Sequence, residues 1–318
     1  MATDRSVNRR EVVKLGLGAG ALMSVRRLSA LLSEVAASQR GALIERAIPS
    51  TGEKLPVVGM GTAIKYEDPT PEQLVELRSV LNRFPELGGK VLDTAPSYGK
   101  AEIVVGDALA ALGNRDRYFL ATKVGRPAAD RVSATAMIES SFKRLRTDRL
   151  DLLQIWNVAA PDVLVPVLHE LKDARRIRYT GITTSFKNSY AALEEAMKKY
   201  KLDFVQVDLA VDNRSAQDRI LPLAADLGMG ALVNLPFGRT RVLPKVVGKP
   251  VPDWATEFDA ATWPQILLKY IVSNPAVTCV IPGTDTVAYA EDNNAAARGR
   301  LPNAEMRKRI EKYFDEIA

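Results

Sequence analysis

An aspartate, a tyrosine and a lysine follow neighbouring apolar runs of the chain and could together transfer a proton. Asp93 lies near the end of one run, Tyr98 comes shortly after it, and Lys123 lies near the end of the next. A lysine ammonium beside a phenol favours the ionised phenol, and an aspartate paired with the lysine keeps it charged and oriented. Such a tyrosine could protonate a carbonyl oxygen as hydride reaches the carbonyl carbon. Any one of these residues alone is better explained by a structural role, as a strand-end cap, a packed loop aromatic or a solvated charge. All three at adjacent strand ends favour the chemical role.

These side chains meet only if the strands before them lie side by side. Short apolar runs, mostly bounded by Gly, Pro, Asn or Asp, predict strands at Leu55–Thr62, Lys90–Ala95, Tyr118–Val124, Leu150–Asn157, Tyr179–Thr184, Asp203–Ala210, Gly230–Phe237 and Ala276–Gly283. Helical spacing predicts helices at Pro71–Phe84, Ala101–Leu112, Ser133–Leu145, Asp162–Arg176, Ala191–Tyr200, Ala216–Leu227, Thr262–Ser273 and Asn303–Ile317.

Regular alternation of strand and helix implies a parallel sheet with right-handed crossovers. Eight such units predict an α/β fold of the (β/α)8 TIM barrel type, a single domain over residues 42–318, with functional residues at the carboxyl ends of the strands. A doubly wound open sheet is the competing fold. Its Gly-rich first turn is incomplete here, because Val58-Gly-Met-Gly-Thr62 lacks the third glycine. Residues 42–54 are predicted to form a hairpin or lid at the barrel base.

Composition excludes several kinds of chemistry. The 318 residues include one Cys and one His, so an intrachain disulfide, a Cys-based zinc site and a His-rich metal site are excluded. We assign no metal, and we interpret Cys279 as a small core residue. The net charge of +6 shrinks to about +3 without residues 1–37, which carry six Lys/Arg and three Asp/Glu. Nothing in the remainder indicates nucleic-acid binding.

The first 37 residues are typical of an export signal. Arg9 and Arg10 precede a mildly apolar run, Leu15–Val25, which is too short to span a bilayer as a helix. Small residues at Val35–Ala37 offer a cleavage site. The arginine pair favours the twin-arginine route, with the export machinery as a partner and a periplasmic or otherwise exported destination. The alternative is an amphipathic N-terminal helix on a cytoplasmic protein.

As an ordered set, motifs over residues 44–317 resemble the aldo-keto reductase family. The matching segments are Val58-Gly-Met-Gly-Thr62, Asp93-Thr-Ala-Pro-Ser-Tyr98-Gly, Ala101-Glu102, Ala121-Thr-Lys123-Val-Gly, Leu145-Arg-Thr-Asp148-Arg-Leu-Asp151-Leu-Leu-Gln154, Arg178-Tyr-Thr-Gly181-Ile-Thr183, Phe204-Val-Gln206-Val, Pro236-Phe-Gly238 and Val280-Ile-Pro-Gly283-Thr. The resemblance implies a NADP or NAD cofactor across the barrel mouth and hydride transfer to a small carbonyl or conjugated enone. It also implies that Tyr98 donates the proton, with Lys123 and Asp93 as its partners.

The resemblance further implies which residues meet the cofactor. They are Gly61, Thr62, Asp93, Thr183, Gln206, Leu209, Pro236, Phe237, Gly238, Gly283, Thr284, Asp285 and Asn293. Gln206 matches the glutamine that holds the carboxamide, and Asn293 matches the residue that meets the adenine. Asp285 stands where many members of the family offer Ser or Lys/Arg to a 2′-phosphate. An aspartate repels a phosphate and suits a ribose hydroxyl, which makes NAD plausible.

Two further departures from the family pattern concern turnover. The family places a histidine where this chain has Trp156, and the chain's own His169 lies in the following helix. An indole has one N–H donor and no acceptor, so Trp156 can bond a substrate oxygen and narrow the mouth but cannot shuttle a proton. Leu209 stands where the family often stacks a tyrosine against the nicotinamide.

Two alternatives to a reductase remain open. The first is a cofactor-binding or sensing barrel with little or no turnover, which Trp156 and Leu209 favour. The second is a barrel isomerase or lyase that uses Lys123 as a Schiff-base amine. The Asp93–Tyr98 set argues against the second, because it belongs with proton donation to a carbonyl.

Overall fold

The computed structural model describes residues 41–125, 130–239 and 241–317. The predicted export signal, residues 1–37, lies outside these residues. Within the described part of the chain, no helix is both long enough and apolar enough to cross a membrane.

A short antiparallel pair precedes eight parallel strands that are hydrogen-bonded in chain order. The strands are β1 (Glu45–Ala47), β2 (Lys54–Pro56), β3 (Met60–Gly61), β4 (Val91–Asp93), β5 (Phe119–Val124), β6 (Leu150–Trp156), β7 (Ile177–Thr184), β8 (Phe204–Asp208), β9 (Gly230–Asn234) and β10 (Cys279–Val280). Val58 and Gly61 form parallel bridges with Val280 and Gly283, which closes the sheet between its first and last strands. The predicted (β/α)8 TIM barrel is confirmed.

Helices connect successive strands on the outside of the barrel. They are α1 (Pro71–Arg83), α2 (Ala101–Leu112), α3 (Arg131–Arg144), α4 (Pro161–Asp173), α5 (Tyr190–Lys199), α6 (Ser215–Asp218), α7 (Ile220–Asp226), α8 (Leu243–Val246), α9 (Trp263–Val272), α10 (Val287–Ala295) and α11 (Ala304–Ile317). Local sequence sets where they begin. At α1, Thr70 and Gln73 form a capping box and Pro71 occupies the first turn, where its missing N–H has no partner to lose.

The structure corrects the predicted elements in four places. The first predicted strand is two strands, because its start pairs with β1 and its end pairs with β4. The predicted helix 216–227 is interrupted at Arg219, which separates α6 from α7. Helices α8 and α10 were not predicted from the sequence. Helix α8 has only four residues. The buried residues of α10 are alanines and asparagines, so it carries no apolar stripe.

The barrel interior is filled by an apolar cluster that the β1–β2 hairpin covers from below. Ile48 and Leu55 of this hairpin segment belong to the same buried cluster as Phe119 and Phe204. Phe119 and Phe204 begin β5 and β8, so the hairpin lies at the amino ends of the strands, as predicted. Cys279 is buried in this cluster, and burial raises the pKa of its thiol.

Candidate active site

Strand register places the predicted functional side chains near the carboxyl ends of the barrel strands. Lys123 of β5 pairs with Gln154 of β6, and Thr183 of β7 pairs with Gln206 of β8. Alternate residues of a strand face the same side, so Trp156 lies on the same side as Gln154 and one step nearer the barrel mouth. These polar side chains therefore form a layer between the apolar interior of the barrel and its mouth.

A buried ion pair lies at the centre of this layer. Lys123 Nζ is 2.6 Å from Asp93 Oδ2 and donates a second hydrogen bond to the Thr94 carbonyl at 2.9 Å. The two charged side chains are only 2% and 4% exposed. Burial by itself lowers the pKa of Lys123, but the charges and hydrogen bonds of Asp93 and Tyr98 outweigh it, so the pKa is raised above its usual value. The lysine is therefore held as an ammonium.

Tyr98 lies beside this ammonium, with its ring centroid 5.2 Å from Lys123 Nζ. The tyrosine is half-buried and follows β4 in a turn whose next residue, Gly99, has φ of +50°. A Cβ at Gly99 would lie 2.6 Å from the Glu67 carbonyl, so only glycine lets this turn dock on the loop after β3. Glycine at this position thus fixes where Tyr98 presents its hydroxyl.

Two buried amides share the other oxygen of Asp93. Gln206 Nε2 donates to Asp93 Oδ1 at 2.9 Å and Gln154 Nε2 donates to the same atom at 3.2 Å. The Gln206 Oε1 atom accepts hydrogen bonds from Thr183 Oγ1 at 3.0 Å and Asn234 Nδ2 at 3.4 Å. Thr183 and Gln206, two of the predicted cofactor residues, therefore belong to one hydrogen-bond network with the ion pair.

Trp156 forms part of the mouth above this network. Its Cβ and Cε3 would lie 3.1 and 3.4 Å from a Cβ at Gly125, so glycine at that position makes room for the indole. The turn that follows holds Asn157, Val158 and Ala160 at φ of 51°, 54° and 40°. Such angles are strained for residues other than glycine, most of all for β-branched valine, and strain of this kind clusters at functional sites.

Apart from Leu209, the remaining predicted cofactor residues lie at the end of β3 and in the segments that follow β3, β9 and β10. Thr62 Oγ1 donates to the Asp93 carbonyl at 3.1 Å, and Asn293 Nδ2 donates to Thr284 Oγ1 at 3.1 Å. Asp285 Oδ2 is 3.2 Å from Lys65 Nζ. The Gly61 N–H donates to the Pro282 carbonyl, and Gly283 is exposed. The last three predicted cofactor residues, Pro236, Phe237 and Gly238, form the turn after β9.

Two residues weighed from the sequence lie away from this layer. Leu209 is fully buried in the hydrophobic core, so its side chain is not presented at the mouth. His169 is on α4, where its Nε2 lies 3.0 Å from the Lys201 carbonyl. The outer position of His169 agrees with the sequence interpretation.

Sequence reasoning missed three residues that the structure brings to the site. They are Gln154, Asn234 and Lys65. A signal was available for Gln154, since a polar residue inside the otherwise apolar β6 run needs a buried partner. No comparable signal marks Lys65, whose partner Asp285 is distant in the sequence.

Among the described residues, no group of three or more His, Cys, Asp or Glu side chains is arranged to hold a metal ion.

Comparisons with known proteins point to one family. Residues 57–313 match the model described as the aldo/keto reductase family. The chain is 30% identical over 266 residues to methylglyoxal reductase YeaE of Escherichia coli strain K12, covering 79% of this chain and 89% of that protein. It is 33% identical over 156 residues to aldo-keto reductase YhdN of Bacillus subtilis strain 168, which is 44% of this chain and 45% of that relative. The second match thus spans about half of YhdN.

Solved structures show the same fold. An aldo-keto reductase from Klebsiella pneumoniae in complex with NADPH has a TM-score of 0.72 at 22% identity, covering 86% of this chain and 95% of that one. The holo form of an aldo-keto reductase from Bacillus halodurans has a TM-score of 0.69 at 22% identity, covering 85% and 96%.

Proposed function

Because the chain belongs to the aldo/keto reductase family, we propose that it is a nicotinamide-dependent oxidoreductase that reduces a small carbonyl or a conjugated enone. The observation that carries this proposal is the buried Asp93–Lys123 pair beside Tyr98 at the carboxyl ends of the strands. In a (β/α)8 barrel this is the end at which chemistry takes place.

In this proposal Tyr98 donates its phenolic proton to the substrate oxygen. The Lys123 ammonium stabilises the phenolate that remains, because an opposite charge nearby favours the ionised form. Asp93 keeps Lys123 charged and aimed, since a buried ammonium without a partner would lose its proton. Trp156, in the position where the family has a histidine, narrows the mouth and offers its indole N–H to the substrate.

The residues around Gln206 fit the carboxamide of a nicotinamide cofactor, NAD or NADP. Asn234 Oδ1 is buried and has no hydrogen-bond partner among the described residues, so it can accept from an amide N–H. At the other end, the exposed backbone of Gly283 leaves open space where a Cβ would stand. When bound, such a cofactor supplies the hydride for the carbonyl carbon or the enone.

The test is a titration of the purified chain with NADH and NADPH, followed by intrinsic tryptophan fluorescence. We expect quenching by at least one of them, and oxidation of the bound cofactor with some member of a panel of small aldehydes, quinones and enones. Methylglyoxal belongs in the panel because the Escherichia coli relative is named as a methylglyoxal reductase. No quenching with either nucleotide would contradict the proposal.

The charges of Asp285 and Lys65 lead us to expect a preference between NADH and NADPH. The Asp285 carboxylate repels a 2′-phosphate, and the neighbouring Lys65 ammonium only partly offsets that repulsion because it is 61% exposed. We expect NADH to bind more tightly than NADPH. Asp285→Asn should tighten NADPH binding about tenfold, equivalent to about 1.4 kcal/mol, and should change NADH binding little. Dissociation constants from the fluorescence titration measure both effects.

A matched control for this substitution is Glu291→Gln, which removes a carboxylate of α10 that is paired with Arg83. It should leave both dissociation constants unchanged. Lys65→Met should weaken NADPH binding, since it leaves Asp285 without its counter-charge. Equal NADPH affinity in Asp285→Asn and the parent chain would show that Asp285 does not meet the cofactor's ribose.

The second candidate function is a cofactor-binding or sensing barrel with little turnover. It is favoured by Trp156, which cannot shuttle a proton, and by the burial of Leu209, which leaves no side chain of that residue at the mouth. Nucleotide binding without oxidation across the whole substrate panel would support this candidate over the reductase.

We further propose that the protein is exported by the twin-arginine route, on the basis of Arg9 and Arg10 ahead of the short apolar run. The double variant Arg9→Lys, Arg10→Lys should remain in the cytoplasm, as measured by fractionation of the full chain. Arg26→Lys with Arg27→Lys is the matched control and should still be exported. Undiminished arrival of the first variant in the periplasm would overturn the proposed route.

A further inference from the structure

Gln154 is a buried polar residue whose amide donates a hydrogen bond but accepts none among the described residues. Its side chain is 0% exposed, and its Nε2 donates to Asp93 Oδ1 at 3.2 Å. Its Oε1 is buried and has no hydrogen-bond partner among the described residues. The free-energy cost of an unsatisfied buried acceptor is similar in size to the gain from a hydrogen bond to a charged group, so an apolar side chain at this position should serve the fold about equally well. Stability therefore does not explain the glutamine.

Gln206, whose amide also donates to Asp93 Oδ1, has other hydrogen-bond partners as well. Gln206 donates to Asp93 through Nε2 and accepts from Thr183 and Asn234 through Oε1. A ligand N–H that bonds Gln206 Oε1 must displace Thr183 or Asn234, and a rotation of the Gln206 side chain toward the ligand also withdraws Nε2 from Asp93. If the Nε2 bond is the one lost, Asp93 Oδ1 loses the shorter of its two amide hydrogen bonds, and the Asp93 side chain is only 4% exposed.

Among the described residues, the Gln154 amide has no other hydrogen-bond partner that competes with Asp93. Its Nε2 comes from β6, between the strands of Lys123 and Thr183, and Asp93 is the hydrogen-bond partner that the structure gives it. Asp93 Oδ1 therefore keeps one hydrogen-bond donor when Gln206 changes partner, and Asp93 Oδ2 remains hydrogen-bonded to Lys123. A hydrogen bond to a charged group is stronger than one between neutral groups, so the Gln154 bond helps to keep the carboxylate in place.

We propose that Gln154 is a positioning residue that holds Asp93 on Lys123 when Gln206 turns its amide to the cofactor. The inference rests on the proposed function, since it requires a nicotinamide carboxamide at Gln206. It assigns to Gln154 a role in cofactor affinity and in the pH dependence of proton donation, without contact between Gln154 and the substrate.

The test compares the parent chain with Gln154→Met, which keeps the length of the side chain and removes the amide, and with Gln154→Leu. Thermal unfolding should give an unchanged or higher Tm for both. The dissociation constant of the preferred nucleotide should rise about tenfold, because recruiting Gln206 now leaves Asp93 Oδ1 without a donor. Ile155→Leu, an apolar change at the next buried position of β6, is the control and should leave nucleotide affinity unchanged.

The pH profile separates positioning from a merely structural role. A hydrogen bond to a carboxylate favours its charged form, so removal of the Gln154 amide should move the acid limb of kcat to higher pH. Unchanged nucleotide affinity and an unchanged acid limb in Gln154→Met would overturn the inference. A markedly lower Tm with normal affinity in the folded protein would also overturn it, since the glutamine would then serve the fold alone. Failure of the parent chain to bind any nucleotide would instead overturn the proposed function.

Discussion

Tyr98→Phe is expected to lower kcat about 10²- to 10⁴-fold with little change in nucleotide affinity. The substitution removes the Tyr98 hydroxyl, the proposed proton donor beside Lys123, and general acid catalysis contributes a factor of that size. The fold should be little affected, because Tyr98 is half-buried and its ring remains. Steady-state kinetics with the best substrate of the panel, together with a fluorescence titration, measure the two effects.

Tyr179→Phe is the matched control for this prediction. Its hydroxyl lies at the opposite end of the barrel, where it donates to Glu53 Oε2 at 2.6 Å. The same chemical change there should leave kcat unaltered, although it removes a hydrogen bond from the hairpin. Undiminished turnover in Tyr98→Phe would remove Tyr98 from the reaction and favour a different proton donor.

Asp93→Asn is expected to lower both stability and activity. Removing one partner of a buried ion pair leaves an uncompensated charge and costs about 3–5 kcal/mol, which corresponds to a loss of about 10 °C in Tm for a domain of this size. Activity should fall as well, because Lys123 loses the carboxylate that keeps it charged beside Tyr98. Calorimetry and steady-state kinetics at neutral pH measure the two losses.

The pH dependence of this deficit has a definite sign. In the parent chain the pKa of Lys123 is raised above its usual value. The stability from the pair is therefore fully present below the unfolded pKa of about 10.4 and is lost only as pH rises through the folded pKa. In Asp93→Asn, burial without a counter-charge lowers the folded pKa of Lys123. The variant should therefore gain stability relative to the parent as pH rises from 7 toward 10.

Two further variants control this prediction. Asp93→Asn combined with Lys123→Met should recover part of the lost stability, since no unpaired charge remains buried. Asp162→Asn removes the carboxylate of an exposed pair with Lys199 and should hardly change Tm. A stability deficit of Asp93→Asn that stays constant with pH would mean that Lys123 is not the group left unpaired.

The fold and part of the site could be predicted from local patterns in the sequence. Eight apolar runs alternating with helical spacing already indicate the barrel, because each run has the composition of a strand buried on both faces. The same pattern puts Asp93 and Lys123 at strand ends, where the barrel makes them neighbours. Helix α10 escaped this reasoning because its buried side consists of alanine and asparagine, and these residues carry little periodic signal.

The sequence by itself determined the strand order and the residue types at the strand ends. Only the tertiary structure decided which polar groups meet. Gln206 and Gln154 reach the same oxygen of Asp93 across 113 and 61 residues, and Lys65 meets Asp285 between the first and last strands of the barrel. These partners depend on the register and closure of the sheet. A shift of one residue in any strand turns its side chains to the other face, so composition and spacing cannot specify the contacts.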